Sequence, residues 1–357
     1  MSLMNYYHFE KTLYNEENNK NKDNMWDIFD KTYENIMIHD IDNFRINGLT
    51  CGIEVGLLQS DRNSLLGYAH LPQEYSSKYS SILIKRYKNL YKLIGNKTFI
   101  KENIECEIGN PQFCNYNDIK LNTNDLYNVY DLWQITRFLP HKQNMTILEI
   151  GAGFGNLANK IIKNTKNCKY ISIDLPETLV LQHYYLSKVY PSLKIVRYKD
   201  IIIADGVIPD FDILLLPPFD LTILKNITFD LIIQTRGFSE MKFSVIKKYF
   251  DIIQRNLKHN GFLYLGAERY ITYRGEEKIG IRNYPFDDNW NIIISQPAWL
   301  TTHGHDFLLE RVNKSKYKFT EIIKSFPSVS PPPGPITKDY NIKKWIENNK
   351  MPDTDIL

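Results

Sequence analysis

At 357 residues the chain is long for one domain and fits one large domain or two, at roughly 100–200 residues each. Apolar residues at 43% and charged residues at 24% are ordinary globular proportions, with enough apolar content for a sizeable core. A net charge of +3 is small for this length, and the basic residues form only short pairs such as Lys247–Lys248, which argues against a nucleic-acid partner.

The four cysteines, Cys51, Cys106, Cys114 and Cys168, form no CxxC pair, and no His follows at a zinc-finger interval. Reduced thiols are expected. Residues 1–20 are polar and carry no apolar core of a secretory signal. The longest apolar stretches, near Phe211–Phe219 and Trp290–Leu300, are interrupted and far below membrane-spanning length. A cytoplasmic protein with no transmembrane segment is expected. The oligomeric state stays open, a homo-oligomer included.

In chain order, residues 1–25 read as a loosely ordered arm rich in Asn, Lys and Glu. Residues 26–48 carry Trp26, Phe29, Tyr33, Ile36 and Met37 at helical spacing. Residues 76–95 predict a clear helix, with a cap at Ser77 or Ser80, an apolar stripe from Ile82 to Ile94, and Gly95 just past its end. Another helix is predicted over 123–139, from a Thr123 or Asn124 cap to Pro140. The first 140 residues thus read as a mainly helical N-terminal or cap region.

From Thr146 short apolar runs alternate with helical patterns. Strands are predicted at Thr146–Ile150, Tyr170–Asp174, Lys194–Tyr198, Asp212–Leu216, Asp230–Thr235 and Gly261–Ala267, and helices at Phe154–Asn164, Glu177–Val189 and Phe243–Asn256. A last strand pair falls at Trp290–Gln296 and His305–Val312. This alternation implies an α/β fold with a Rossmann-like, doubly wound, mostly parallel sheet over residues 141–315. The tail at 316–357 is polar and then Pro-rich, as a linker or surface strap.

The segment Thr146-Ile-Leu-Glu-Ile-Gly151-Ala152-Gly153-Phe-Gly155 carries the chemistry. A buried strand runs into three alternate glycines, and a helix follows. Such a turn lets backbone approach a ligand at a helix N-terminus. Three features favour S-adenosylmethionine over a dinucleotide. The spacing is G-x-G-x-G rather than G-x-G-x-x-G. The carboxylate of Glu149 suits a sulfonium and an ammonium, and would oppose a pyrophosphate. The second strand ends in Asp174, placed to hold ribose hydroxyls. A ligand-free glycine turn is the plainer alternative.

Three longer segments add to this pattern. They are Leu148-Glu-Ile-Gly-Ala-Gly-Phe-Gly155, Asp174-Leu-Pro-Glu-Thr178 with the helix after it, and Phe229-Asp-Leu-Ile-Ile-Gln-Thr-Arg-Gly-Phe-Ser-Glu-Met241. With Ile108-Gly-Asn-Pro111 and Tyr284-Pro-Phe, Trp290 and Ser295-Gln-Pro297, the chain resembles the sugar O-methyltransferase family of bacterial surface-polysaccharide clusters from about Tyr79 to Val312. The resemblance implies a class I methyltransferase fold, S-adenosylmethionine as methyl donor and a sugar hydroxyl as acceptor. Gln234 stands where the family pattern has Asn, with its amide moved outward, so its contact with the methionine part of the cofactor departs from that pattern.

Methyl transfer to a hydroxyl needs a base beyond the C-terminal ends of the strands. Glu240, after the fourth strand, is the first candidate, with capping of the next helix as the alternative. His303 and His305 in Thr301-Thr-His-Gly-His-Asp306 are the next, read as a polar loop whose residues act as base, hold a metal or do neither. Arg236 pairs either with an anionic acceptor or with Glu240. Adenine is expected against Leu175 and against the third strand's end, where Asp212–Leu216 and Pro218-Phe219 are favoured over Lys194–Tyr198. Tyr87 on the N-terminal helix is an acceptor-stacking candidate, although such stripes are more often core. The reading is therefore a methyltransferase with a small-molecule or glycan substrate. Its rivals are a non-sugar small molecule or protein side chain as acceptor, and a non-catalytic scaffold.

Overall fold

The computed structural model of the chain describes residues 8–9, 11–12, 40–45, 77–104, 107–139, 143–274, 277–299 and 304–327. Most of the arm at 1–25, the helix expected at 26–48 apart from residues 40–45, His303 and the Pro-rich segment from Ser328 lie outside the described residues. No helix among the described residues is long and apolar enough to cross a membrane.

Short runs of β-branched and aliphatic residues form the strands β3 (Thr146–Ile150), β4 (Lys169–Ile173), β5 (Ile195–Arg197), β6 (Ile213–Leu216), β7 (Phe229–Thr235), β8 (Leu257–Arg269), β11 (Trp290–Pro297) and β12 (Gly304–Arg311). Their order in the sheet is β11-β12-β8-β7-β3-β4-β6-β5. The β3–β7, β7–β8 and β5–β6 pairs are parallel, while β12 runs antiparallel to β8 and to β11. The mostly parallel α/β sheet expected from the alternating pattern is therefore present. Strands such as β6, buried at every residue, read as continuous apolar runs because both faces of such a sheet are covered.

The described residues group into two compact units. One takes those within Met1–His141, Ala152–Lys166 and Ser172–Asp220; the other takes those within Lys142–Gly151, Asn167–Ile171 and Leu221–Leu357.

In the first unit, α1 (Ser77–Ile94) buries Leu83, Tyr87 and Leu90, one turn apart on one face. After α2 (Lys97–Ile104) comes a hairpin that periodicity did not announce: β1 (Cys114–Tyr116) pairs with β2 (Ile119–Leu121). Its two turn residues, Asn117 and Asp118, both take positive φ, as a tight primed turn demands. The cap of α3 (Thr123–Thr136) is Asn122, one residue before the expected pair. Asn122 is extended, and its Oδ1 accepts from the N–H of Asn124 at 2.8 Å and of Asp125 at 3.4 Å. The helix α4 (Asn156–Asn164) follows the glycines, and α5 (Pro176–Val189) starts with Pro at its first position, where the missing N–H costs nothing. A short helix, α6 (Tyr198–Ile203), follows β5.

In the second unit, α7 (Phe243–Asn256) buries Ile246, Tyr249, Phe250 and Ile253. Phe250 packs edge-on against Phe286, which meets Trp290 and, on α8 (Phe319–Ser325), Phe319. The register sets Ile150 level with Gln234, and Gln234 level with Leu265. The C-terminal ends of β3 and β7 and the matching stretch of β8 thus reach one sheet edge, where ligands of parallel sheets bind.

Candidate functional site

The turn after β3 is built from left-handed backbone. Gly151, Gly153 and Gly155 take φ values of +74°, +58° and +92°, which side-chain-bearing L-residues rarely adopt. The turn is closed by Gly155, whose N–H donates to the Ala152 carbonyl at 3.2 Å. The three glycines do different work. A Cβ on Gly155 would lie 3.0 Å from Gln182 Cγ and 3.3 Å from Leu186 Cδ1, so this glycine serves close packing of α4 on α5. Among the described residues, a Cβ on Gly153 would meet nothing within 4 Å, and one on Gly151 only Gly237 Cα at 3.9 Å. Open space therefore stands where side chains would otherwise sit, the room a cofactor cradle requires.

Asp174, at the end of β4, turns onto this loop. Its Oδ2 accepts the Gly153 N–H at 2.7 Å and its Oδ1 accepts the Leu175 N–H at 2.7 Å. The Asp174 N–H donates to the Leu216 carbonyl at 3.3 Å, which sets the end of β6 beside the acid. The favoured third strand thus takes that place, and β5 lies beyond it. Leu175, Pro218 and Phe219 are all half-buried there, and Tyr198 meets Phe219 edge-on at 5.3 Å. The first unit thus brings Gly153, Asp174 and an apolar shelf together.

In the second unit Glu149 is buried, and its Oε2 accepts the Tyr170 hydroxyl proton at 2.6 Å. Its carboxylate braces β3 against β4 rather than lying open beside the turn.

The β7 end is strained. Arg236 takes φ +65°, a costly conformation for a side-chain-bearing residue and one that clusters at functional sites. Its N–H donates to the Gly266 carbonyl at 2.9 Å, and its own carbonyl accepts from Ser239 Oγ at 2.7 Å. Ala267, opposite, takes φ +55° at a bulge, where Asp306 Oδ1 accepts its N–H at 2.7 Å. Gln234 is fully buried. With its amide turned to suit its neighbours, it donates to Glu268 and accepts the N–H groups of Gly237 at 2.5 Å and Phe238 at 2.7 Å. This corrects the expected cofactor contact: the Gln234 amide folds inward and shapes the loop.

Glu240 ends a short 3₁₀ turn, Phe238–Glu240, and is half-buried. The next helix, α7, is entered through Lys242, and the N–H of its first residue, Phe243, goes to Glu277 Oε2 at 3.3 Å. Glu277 thus accepts the N–H that the alternative reading of Glu240, as a helix cap, would have it accept. Glu268 was missed from sequence because one acid at a strand end carries no periodic signal. It is fully buried, donated to by the Tyr284 hydroxyl, and burial pushes its carboxyl up to about 8. Arg236 and Arg269 lie near enough to pull it down somewhat, and Glu240 to push it up.

Two further expectations are corrected. His305 lies in β12, not in a polar loop, and is wholly buried. Its Nδ1 bonds the Tyr270 hydroxyl at 2.8 Å and its Nε2 the Ser295 hydroxyl at 2.9 Å, and burial holds its pKa well below the ordinary imidazole value. Both ring nitrogens are committed, so this histidine is core. Tyr87 is 5% exposed and packs edge-on against Tyr116 at 5.7 Å; it is core of the first unit rather than an open stacking face.

No family model matches the chain, and no curated protein matches it. Among solved structures, it is similar to the pyocyanin biosynthetic protein PhzM, at 11% identity over 53% of this chain and 56% of that one, with a TM-score of 0.35. It is similar to the glycopeptide N-methyltransferase MtfA solved with sinefungin, at 12% identity over 52% of this chain and 94% of that one, with a TM-score of 0.34. It is also similar to the precorrin-6y C5,15-methyltransferase of Geobacter metallireducens, at 13% identity over 56% and 95%, with a TM-score of 0.33. The chain spans little more than half the length of PhzM. None of these scores reaches 0.5.

Proposed function

We propose that the chain is an S-adenosylmethionine-dependent O-methyltransferase that methylates a sugar hydroxyl, in surface-glycan or nucleotide-sugar biosynthesis. The observation that carries the cofactor is the 2.7 Å bond from the Gly153 N–H to Asp174, which joins a left-handed glycine turn to a half-buried acid. A carboxylate in that position can accept both hydroxyls of a ribose. Leu175, Pro218 and Phe219 offer the apolar shelf for adenine, and the turn at Gly151, Ala152 and Gly153, open at its two glycines, takes the rest of the nucleoside. Glu149 contributes through its hold on Tyr170.

S-adenosylmethionine, when bound, supplies a methyl group on a sulfonium centre. The chain's remaining task is to orient a hydroxyl and receive its proton. Glu240 is assigned that proton. It stands at the end of a loop fixed by Gln234 and Ser239, beyond the C-terminal end of β7. Arg236 at the head of the same loop supplies a cation for the acceptor. The sugar itself rests on the resemblance of the glycine, D-L-P-E-T and F-S-E-M segments.

Calorimetric titration with S-adenosylhomocysteine tests the cofactor: the protein should bind it, and Asp174→Ala should weaken that binding. Absence of binding to the unaltered protein removes the proposal. Mass spectrometry of products from sugar, small-metabolite and peptide acceptors then tests the acceptor, and methylation confined to a non-sugar replaces the sugar reading alone.

A further inference from the structure

Beyond β8 the second unit carries a small insertion: the hairpin β9 (Thr272–Arg274) with β10 (Glu277–Ile279), then a 3₁₀ turn at Ile281–Asn283. It is fastened on both sides of Glu240. Thr272 Oγ1 donates to the Ser239 carbonyl at 3.3 Å, and Glu277 accepts the Phe243 N–H. Gly280 seals its base, since a Cβ there would fall 2.0 Å from the Tyr270 carbonyl oxygen.

A pocket of about 220 Å³ opens in this insertion, lined by Tyr270, Ile271, Lys278, Ile279, Arg282 and Asn283. Pockets that enclose a whole small molecule run to roughly 300–1,000 Å³, so this one takes a single group. Its polar lining is a guanidinium, an ammonium and an amide, with no carboxylate among the lining residues. Neither Lys278 nor Arg282 forms an ion pair among the described residues. Both side chains are exposed, and two cations that line one concave pocket with no acidic partner among the described residues create a field that concentrates anions. Across the hairpin Lys278 pairs in register with Tyr273, which is 63% exposed and offers an aromatic face next to the charge.

We propose that this pocket seats a phosphate group of the acceptor, so that the methylated substrate is a phosphorylated molecule rather than a neutral glycan. The claim rests on the transferase reading for its role, and on the pocket alone for its ligand. Arg supplies a planar fork for two oxygens, and Lys supplies a point charge for a third. The insertion's ties to Ser239 and Phe243 then set the bound phosphate's distance from Glu240.

Titration of the purified full chain with pyrophosphate, and separately with malonate, tests this. Pyrophosphate should bind, and Arg282→Ala and Lys278→Ala should each weaken it about tenfold, the loss of one charge-assisted contact. Malonate should bind at least tenfold more weakly. No pyrophosphate binding, or binding unchanged in both variants, overturns the proposal; malonate binding as tightly overturns the phosphate assignment. S-adenosylhomocysteine titrated into the same samples separates the two readings. Its retention in both variants shows an intact fold. Its failure on the unaltered protein, with pyrophosphate still bound, sinks the transferase and leaves the phosphate pocket.

Discussion

Gly153 gives its backbone N–H to Asp174 Oδ2 across 2.7 Å, so the turn after β3 and the acid after β4 hold each other in place. A charge-assisted bond of this kind is worth about 1.5–3 kcal/mol. Asp174→Ala should therefore cost the donor nucleoside its ribose partner and loosen the turn, lowering S-adenosylhomocysteine affinity roughly 10- to 100-fold by calorimetry. Gly153→Ala attacks the same point differently. At φ +58° an alanine costs about 1–2 kcal/mol, and its methyl enters the open cradle. It should lower both the melting temperature and the affinity. An alanine variant that binds as the original does would show that the space at Gly153 is not a ligand site.

Why this contact was legible in the sequence, and others were not, has a physical basis. A strand, a glycine turn and a second strand ending in an acid are local patterns, and sheet register brings the two ends together. Helix α7 was bounded correctly at both ends because its apolar stripe is undiluted. His305 was misplaced because His-Gly-His-Asp reads as polar loop. Its burial depends on Tyr270 and Ser295, whose hydroxyls satisfy the ring from distant points in the chain. The β1–β2 hairpin escaped because three-residue strands carry no periodicity; only the Asn117-Asp118 pair signals the turn.

Glu268 gives stability a pH dependence of defined sign. Its carboxyl is raised from 4.5 to about 8 by burial, so between those values the folded chain holds a proton that the unfolded chain has lost. The contribution is complete below about pH 4.5 and disappears as pH rises through 8. Glu268→Gln keeps a neutral, hydrogen-bonding group against Gln234 and Tyr284. Urea unfolding at stepped pH should show the decline between pH 5 and 8 flattened in the variant. An equal decline in both would assign the titration to another group.

His305 acts in the opposite direction. Its folded pKa is depressed below 6.5, so its contribution is present above pH 6.5 and is lost as pH falls below it. His183, lowered to about 4 by burial and then by Arg197, adds to the same loss. Replacing His305 by Ala takes the imidazole partner from the Tyr270 and Ser295 hydroxyls and opens space beside Phe307 and Phe326, at about 1–3 kcal/mol for a buried group that loses its bond. The effect should fall on denaturation midpoint, with the pH profile of turnover unmoved. A general base would instead cost about 10²–10⁴-fold in rate and shift that profile.

The glycine turn has a second support, within the first unit. Asp125 on α3 is buried between two cations, Lys160 Nζ at 2.9 Å and Arg45 at 3.5 Å, and it also accepts from Asn156 Nδ2 at 3.0 Å. Arg45 in turn lies 5.1 Å over the ring of Phe154, between Gly153 and Gly155, and Phe44 and Tyr185 meet that ring edge-on. Removing the carboxylate takes an acidic partner from two buried cations at once. Asp125→Ala should destabilise by about 3–5 kcal/mol, far more than loss of an exposed pair such as Lys194–Asp210. Asp125→Asn, which keeps shape but not charge, should recover little of that. Near-complete rescue by Asn in urea titration would mean that shape, not charge, holds the turn from behind.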